Sequence, residues 1–195
     1  MQPLIVRSDL LSEGRSERFF PLTVREQTIM DKIDFTFTAH RESETDQLGK
    51  VLASTLPNGS VVALNGTLGA GKTRLVRAIA EASGVPRETV SSPTFVLIHE
   101  YDEGDRPIYH FDTYRLKNEE EFLELGPDDY FDGEGISLIE WADRIAGVLP
   151  DQRIEIEILL SDEETREFRI AFHGFPESLQ NSFMENARTE GLVLN

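Results

Sequence analysis

Apolar and polar residues alternate in Phe35-Thr36-Phe37-Thr38, a period of about two that predicts a half-buried strand. From about Ser43 the period lengthens. Leu48, Val51, Leu52 and Leu56 fall on one helical face, Ser43 and Asp46 are spaced like a capping box, and Pro57-Asn58-Gly59 turns the chain. The unbroken run Val61-Val62-Ala63-Leu64 predicts a strand buried on both faces. Leu75, Val76, Ile79 and Ala80 then return to helical spacing, with Gly84 placed to end that helix. Ser91-Ser92-Pro93-Thr94-Phe95 reads as a turn leading into a strand through Val96-Leu97-Ile98. Glu103-Gly104-Asp105 reverses this strand into Ile108-Tyr109-His110-Phe111-Asp112, predicting a hairpin. Asn118 with Glu121 opens a short helix that Gly126 can close, and Ile136 to Glu140 reads as another buried strand. Ile154, Ile156 and Ile158 alternate with charges, Phe168 to Phe172 is expected to pair back, and Phe175, Leu179 and Phe183 suggest one terminal helix. Residues 1–33 carry no sustained period. They are expected to form a disordered or weakly helical extension, with Met30 just ahead of the first strand raising the expectation of a mis-assigned upstream start. The expected division is thus an extension over 1–33, a domain over 34–173 and a tail or helix over 174–195.

Charge narrows the partners. The chain of 195 residues has 19 basic and 36 acidic side chains, a net charge of −17, and residues 1–33 are balanced, so the excess falls after them. Such a surface repels a polyphosphate backbone, and tight autonomous binding to nucleic acid is not expected. Residues 119–134 hold eight acids and no base. They form either a solvated face or a docking surface for a basic partner. No apolar run is long enough to span a bilayer, Arg7, Asp9 and Glu13 interrupt any secretory core, and there is no cysteine. A cytoplasmic protein with no membrane association is expected.

The candidate chemistry centres on Gly66-Thr67-Leu68-Gly69-Ala70-Gly71-Lys72-Thr73, which fits the phosphate-loop pattern G-x-x-x-x-G-K-[ST]. Gly66, Gly69 and Gly71 allow the tight turn that aims successive backbone N–H groups, including that of Ala70, at one anion. Lys72 is expected to reach the β- and γ-phosphates and the Thr73 hydroxyl to ligate Mg²⁺. A chance match is expected in only about 1% of chains this long, and a strand before it and a helix after it supply the required context.

Such a loop needs an acid at the end of a neighbouring strand. Two runs have that form, one ending at Asp112 and one at Glu140. Spacing alone leaves open which meets magnesium and which positions water. Trp141, the single tryptophan, is either a core filler or an aromatic wall beside the nucleotide. Thr94 stands where a switch segment would sense the γ-phosphate, or else in a plain turn closed by Pro93. Arg115 is either an arginine finger or a structural ion pair. His40, His99, His110 and His173 show no metal-ligand spacing and receive no role.

Together, Gly-Thr-Leu-Gly-Ala-Gly-Lys-Thr (66–73), Ser-Pro-Thr-Phe (92–95), His-Phe-Asp-Thr-Tyr-Arg-Leu (110–116) and Leu-Ile-Glu-Trp (138–141) resemble the TsaE family over roughly residues 34–172. The resemblance implies an α/β P-loop NTPase fold with a mixed central β-sheet flanked by helices. It also implies Mg²⁺-dependent ATP hydrolysis that supports threonylcarbamoyladenosine formation in tRNA, in company with the proteins TsaB and TsaD. By the same resemblance Lys72 and Thr73 meet phosphate and Mg²⁺, Glu140 meets Mg²⁺, Asp112 and Trp141 are critical for activity, and the helix start near Glu42 lies close to the adenine. Thr67 stands where the family often has Asp, and Arg74 where it usually has a second Thr or Ser. A small-molecule or nucleotide kinase shares the loop and the size and is the alternative. It would need an arginine-bearing lid, whereas the region after the middle helix is acidic and poor in arginine.

Overall fold

The structure, a computed structural model, describes residues 34–162 and 164–195; the expectation for residues 1–33 lies outside them. Seven strands form one sheet: β1 (Phe35–Ala39), β2 (Ser60–Asn65), β3 (Ile98–Tyr101), β4 (Ile108–Asp112), β5 (Ile136–Glu140), β6 (Arg153–Leu160) and β7 (Arg166–His173). Their spatial order is β1-β7-β6-β2-β5-β4-β3. The centre is parallel, with β2 between β5 and β6 and β4 beside β5. The hairpins β3–β4 and β6–β7 and the edge pair β1–β7 are antiparallel. The sheet is therefore mixed, as the family resemblance implied.

The helices are α1 (Glu42–Thr55), α2 (Lys72–Ala82), α3 (Glu119–Leu123), α4 (Pro127–Phe131) and α5 (Glu177–Thr189). Val62 and Leu64 of β2 join one core with Leu52 of α1, Ile79 of α2 and Phe183 of α5. Val61 and Ala63 join the other, with Phe122 of α3 and the short turn at Ala142 and Ile145. A strand covered on both faces needs apolar residues on both, which is why β2 reads as an unbroken run rather than an alternation. Each fully buried aliphatic side chain in these layers contributes about 1.5–3 kcal/mol. At the α1–α2 contact, a Cβ on Gly49 would lie 2.4 Å from the Cβ of Ala78, so only glycine lets α1 seat this closely.

Two local expectations are corrected. No Ser43–Asp46 capping box forms. Arg41 is the N-cap of α1, and the Glu44 carboxylate reaches back to accept from the His40 backbone N–H at 2.6 Å. Asp46 is drawn away by the Arg74 guanidinium at 2.6 Å. The strand expected over 96–98 begins only at Ile98. The Pro93 carbonyl accepts from the N–H groups of Val96 and Leu97 at 3.0 and 2.7 Å, closing a turn that holds Leu97 left-handed at φ 71°. At Asn118 the expected cap is present: its side chain accepts from Glu121 N–H at 3.0 Å, while Glu121 accepts from Lys117 N–H at 2.9 Å.

Residues 174–195 pack onto the sheet. Phe183 of α5 sits with ring centroids 5.3 Å from both Phe35 and Phe172, and Asn195 exchanges two backbone hydrogen bonds with Thr36 along the outer edge of β1. Among the described residues no helix is long and apolar enough to cross a membrane.

Candidate functional site

The register of the parallel strands sets Leu64, Glu140 and Asp112 side by side at their C-terminal ends. The loop from Gly66 to Gly71 leaves β2 at this level and delivers Lys72 and Thr73 to the first turn of α2. Open parallel sheets bind ligands in this crevice, where helix N-termini and strand ends meet. Gly66 has φ 145°, and a Cβ there would approach the Ile158 carbonyl oxygen to 2.6 Å. Gly71, at φ 109°, is the N-cap of α2 in a left-handed conformation that L side chains rarely adopt.

A cavity of about 350 Å³ opens over this loop, lined among others by Lys72, Thr73, Thr94, Asp112, Glu140 and Trp141. Lys72, Asp112 and Glu140 are 3–4% exposed, so protein groups rather than water surround them. Lys72 Nζ donates to the carbonyls of Gly66 at 2.7 Å and Thr67 at 3.0 Å, and lies 3.5 Å from the centre of the Trp141 ring. Burial pushes the Lys72 ammonium below the usual lysine range, against the opposing pull of Glu140, Asp112 and Asp143. Thr73 Oγ1 donates to Glu140 Oε1 at 2.7 Å. Asp112 Oδ2 accepts from the hydroxyls of Ser92 at 2.9 Å and Thr94 at 2.5 Å, and Oδ1 from Tyr114 N–H at 3.0 Å.

A second cavity of about 450 Å³ lies on the other side of the loop, lined by residues that include Arg41, Glu42, Gly69, Ala70, Arg74 and Phe168. Arg74 borders both cavities. It is held by Glu42 at 2.5 Å and Asp46 at 2.6 Å, so its added charge is paired rather than offered to a ligand.

The structure thus gathers Lys72, Thr73, Thr94, Asp112, Glu140 and Trp141 around one cavity and places Glu42 beside the other. Trp141 does not fill the core. It is half-buried, left-handed at φ 59°, and its carbonyl accepts from the Thr113 hydroxyl at 2.7 Å. Arg115 does not form the structural ion pair: it is exposed, its guanidinium lies 4.2 Å from the Phe95 ring centre, and no acid among the described residues pairs with it. His110 was given no role by its sequence, yet Nε2 stands 2.8 Å from Glu140 Oε1 in full burial. The one signal for it is strand alternation, which puts His110 on the same face as Asp112 two residues on.

A strand running into a glycine loop that caps a helix, with acids ending the adjacent parallel strands, is the P-loop NTPase fold. The profile of the family "Threonylcarbamoyl adenosine biosynthesis protein TsaE" matches residues 39–168. The chain is 44% identical over 124 residues to the Bacillus subtilis tRNA threonylcarbamoyladenosine biosynthesis protein TsaE, covering 64% of this chain and 77% of that one. It is 40% identical over 153 residues to the protein of the same name from a Nostoc species, covering 76% and 91%. The crystal structure of Bacillus subtilis YdiB superposes with a TM-score of 0.65 at 32% identity, over 80% of this chain and 95% of that one. This chain belongs to the TsaE family.

Proposed function

We propose that this protein binds ATP with Mg²⁺ and hydrolyses it to ADP and phosphate, as the ATP-consuming component of the machinery that forms threonylcarbamoyladenosine in tRNA, working with TsaB and TsaD. One observation carries the reading: the hydroxyl of Thr73 and the carboxylate of Glu140 meet at 2.7 Å within the cavity that also holds the Lys72 ammonium. The donor set fits magnesium. Both groups offer hard oxygens, and among the described residues no cluster of three or more His, Cys, Asp or Glu could cage a metal by itself. Mg²⁺ is ordinarily held this way, by one or two protein oxygens together with substrate phosphates. Bound there, it supplies charge neutralisation for the phosphates.

The chain's own residues do the rest. Lys72 leaves the Gly66 and Thr67 carbonyls for the phosphate oxygens, exchanging weak acceptors for charged ones. Thr94 turns its hydroxyl from Asp112 to the γ-phosphate, which frees Asp112 Oδ2 to accept a hydrogen bond from the attacking water. Water attacks the γ-phosphorus, the bond to the β–γ bridging oxygen breaks, and ADP leaves with that oxygen. The acidic surface leaves the tRNA to the partners.

The deciding experiment incubates the purified protein with Mg-ATP, with and without TsaB and TsaD, and follows phosphate release. Slow release that the partners accelerate is the expected result. No release under either condition would overturn the hydrolase reading, and transfer of the phosphate to a small molecule would favour a kinase.

A further inference from the structure

We infer that His110 is a positioning residue for Glu140, anchoring one carboxylate oxygen from a rigid strand so that the other is left for the magnesium shell. The inference rests on the proposed role of Glu140 in holding that shell.

Parallel pairing of β4 and β5 sets His110 opposite Leu138 and Asp112 opposite Glu140, so His110 and Glu140 are diagonal neighbours on one face. The imidazole is fully buried, with Nε2 2.8 Å from Glu140 Oε1. A carboxylate only accepts, so Nε2 carries the proton of this hydrogen bond. Nδ1 has no hydrogen-bond partner among the described residues. Around it on the same face are Ile108 of its own strand and Leu138 and Ile136 of the next, all fully buried, with His99 of β3 paired opposite and the Tyr101 ring centroid 6.4 Å away. A wholly apolar ring would keep the packing against Tyr101 without leaving a nitrogen unpaired. What the histidine adds at this position is the bond to Glu140.

Both described side-chain hydrogen bonds to Glu140 fall on Oε1, one from His110 and one from Thr73. The two donors differ in kind. Thr73 belongs to the nucleotide loop and is itself a proposed metal ligand, so its surroundings change when nucleotide arrives. His110 lies inside a strand paired on both sides, and its donor stays in place. Partners of this sort orient the groups around a metal, and their loss is felt as weakened metal affinity.

The test measures ATP affinity by calorimetry in magnesium and again in EDTA, for the wild type, His110→Phe, His110→Gln, His110→Asn and Glu140→Ala. We expect magnesium to improve wild-type affinity, His110→Phe and His110→Asn to lose about 10-fold of that improvement, and His110→Gln to retain it within about threefold. Affinity in EDTA should be unchanged in all three. Gln and Asn carry the same amide and differ by one methylene of reach, so this pair decides the matter even if the Phe variant does not fold. An undiminished magnesium effect in His110→Phe or His110→Asn, a loss in His110→Gln equal to that in His110→Asn, or an equal loss in EDTA would overturn the positioning role. A wild type without a magnesium effect, or Glu140→Ala that keeps it in full, would instead remove the magnesium reading and this inference with it.

Discussion

The two cavities flanking the glycine loop share a wall but are built on different principles. On the Lys72 side, Asp112 and Glu140 end buried strands, and each takes hydrogen bonds from two or three protein donors. On the other side, Glu42 meets Arg74 through a side chain that is 83% exposed. A buried charge must be met by specific partners or it is not tolerated, whereas an exposed ion pair is worth about 0–1 kcal/mol and is easily replaced. One side of the loop therefore holds its acids in burial, and the other holds Arg74 between a half-buried Asp46 and an exposed Glu42.

The sharpest way to break that comparison is Lys72→Met. Removing an ammonium that donates to phosphate oxygens should weaken ATP binding by on the order of 100-fold or more, measured by calorimetry. The same change also bears on the pH dependence of stability without nucleotide, because burial disfavours the charged lysine in the fold. The sign follows from proton linkage. A lysine whose folded pKa is lowered binds fewer protons folded than unfolded in the window between the lowered and the ordinary value. Wild-type stability relative to Lys72→Met should thus rise with pH through that alkaline window. A fall over that range would contradict the burial argument.

Asp112→Ala comes next: turnover with partners present should drop by about 100-fold while Mg-ATP affinity stays near wild type, since a water-positioning acid acts mainly in the transition state. Glu140→Ala should show the opposite split, with affinity falling by about 10-fold in magnesium and little in EDTA. Interchanged patterns would swap the two roles. The smallest effect is expected at Arg74. Arg74→Ala should change ATP affinity by less than about threefold and the melting temperature by only a few degrees. A loss there as large as at Lys72 would erase the distinction between the two sides.

Much of this arrangement is legible in the chain, and the limits have physical causes. That Lys72, Thr73, Asp112 and Glu140 meet at one cavity is legible because each position depends on local order: a glycine loop before a helix, or an apolar run ending in an acid. His110 does not, because its partner is set by the register between two strands 30 residues apart. The false capping box has the same origin, since Asp46 answers to Arg74 28 residues on rather than to its own helix start. The late start of β3 reflects a turn closed on the Pro93 carbonyl, a backbone event that the β-prone Val96 and Leu97 conceal. Arg115 has a binding partner, but an aromatic one in Phe95, and charge counting looks only for acids.

The resting place of Lys72 has a spectroscopic consequence. Its ammonium lies over the ring of the chain's single tryptophan, so every indole photon from this protein originates beside the group that the proposed function moves onto phosphate. A cation leaving the face of an aromatic ring removes a strong local field from its π system. Titrating ATP should therefore shift the intrinsic emission in step with occupancy, and Lys72→Met should silence that signal. Under the proposed function, the emission of Trp141 would thus report the loading of the site.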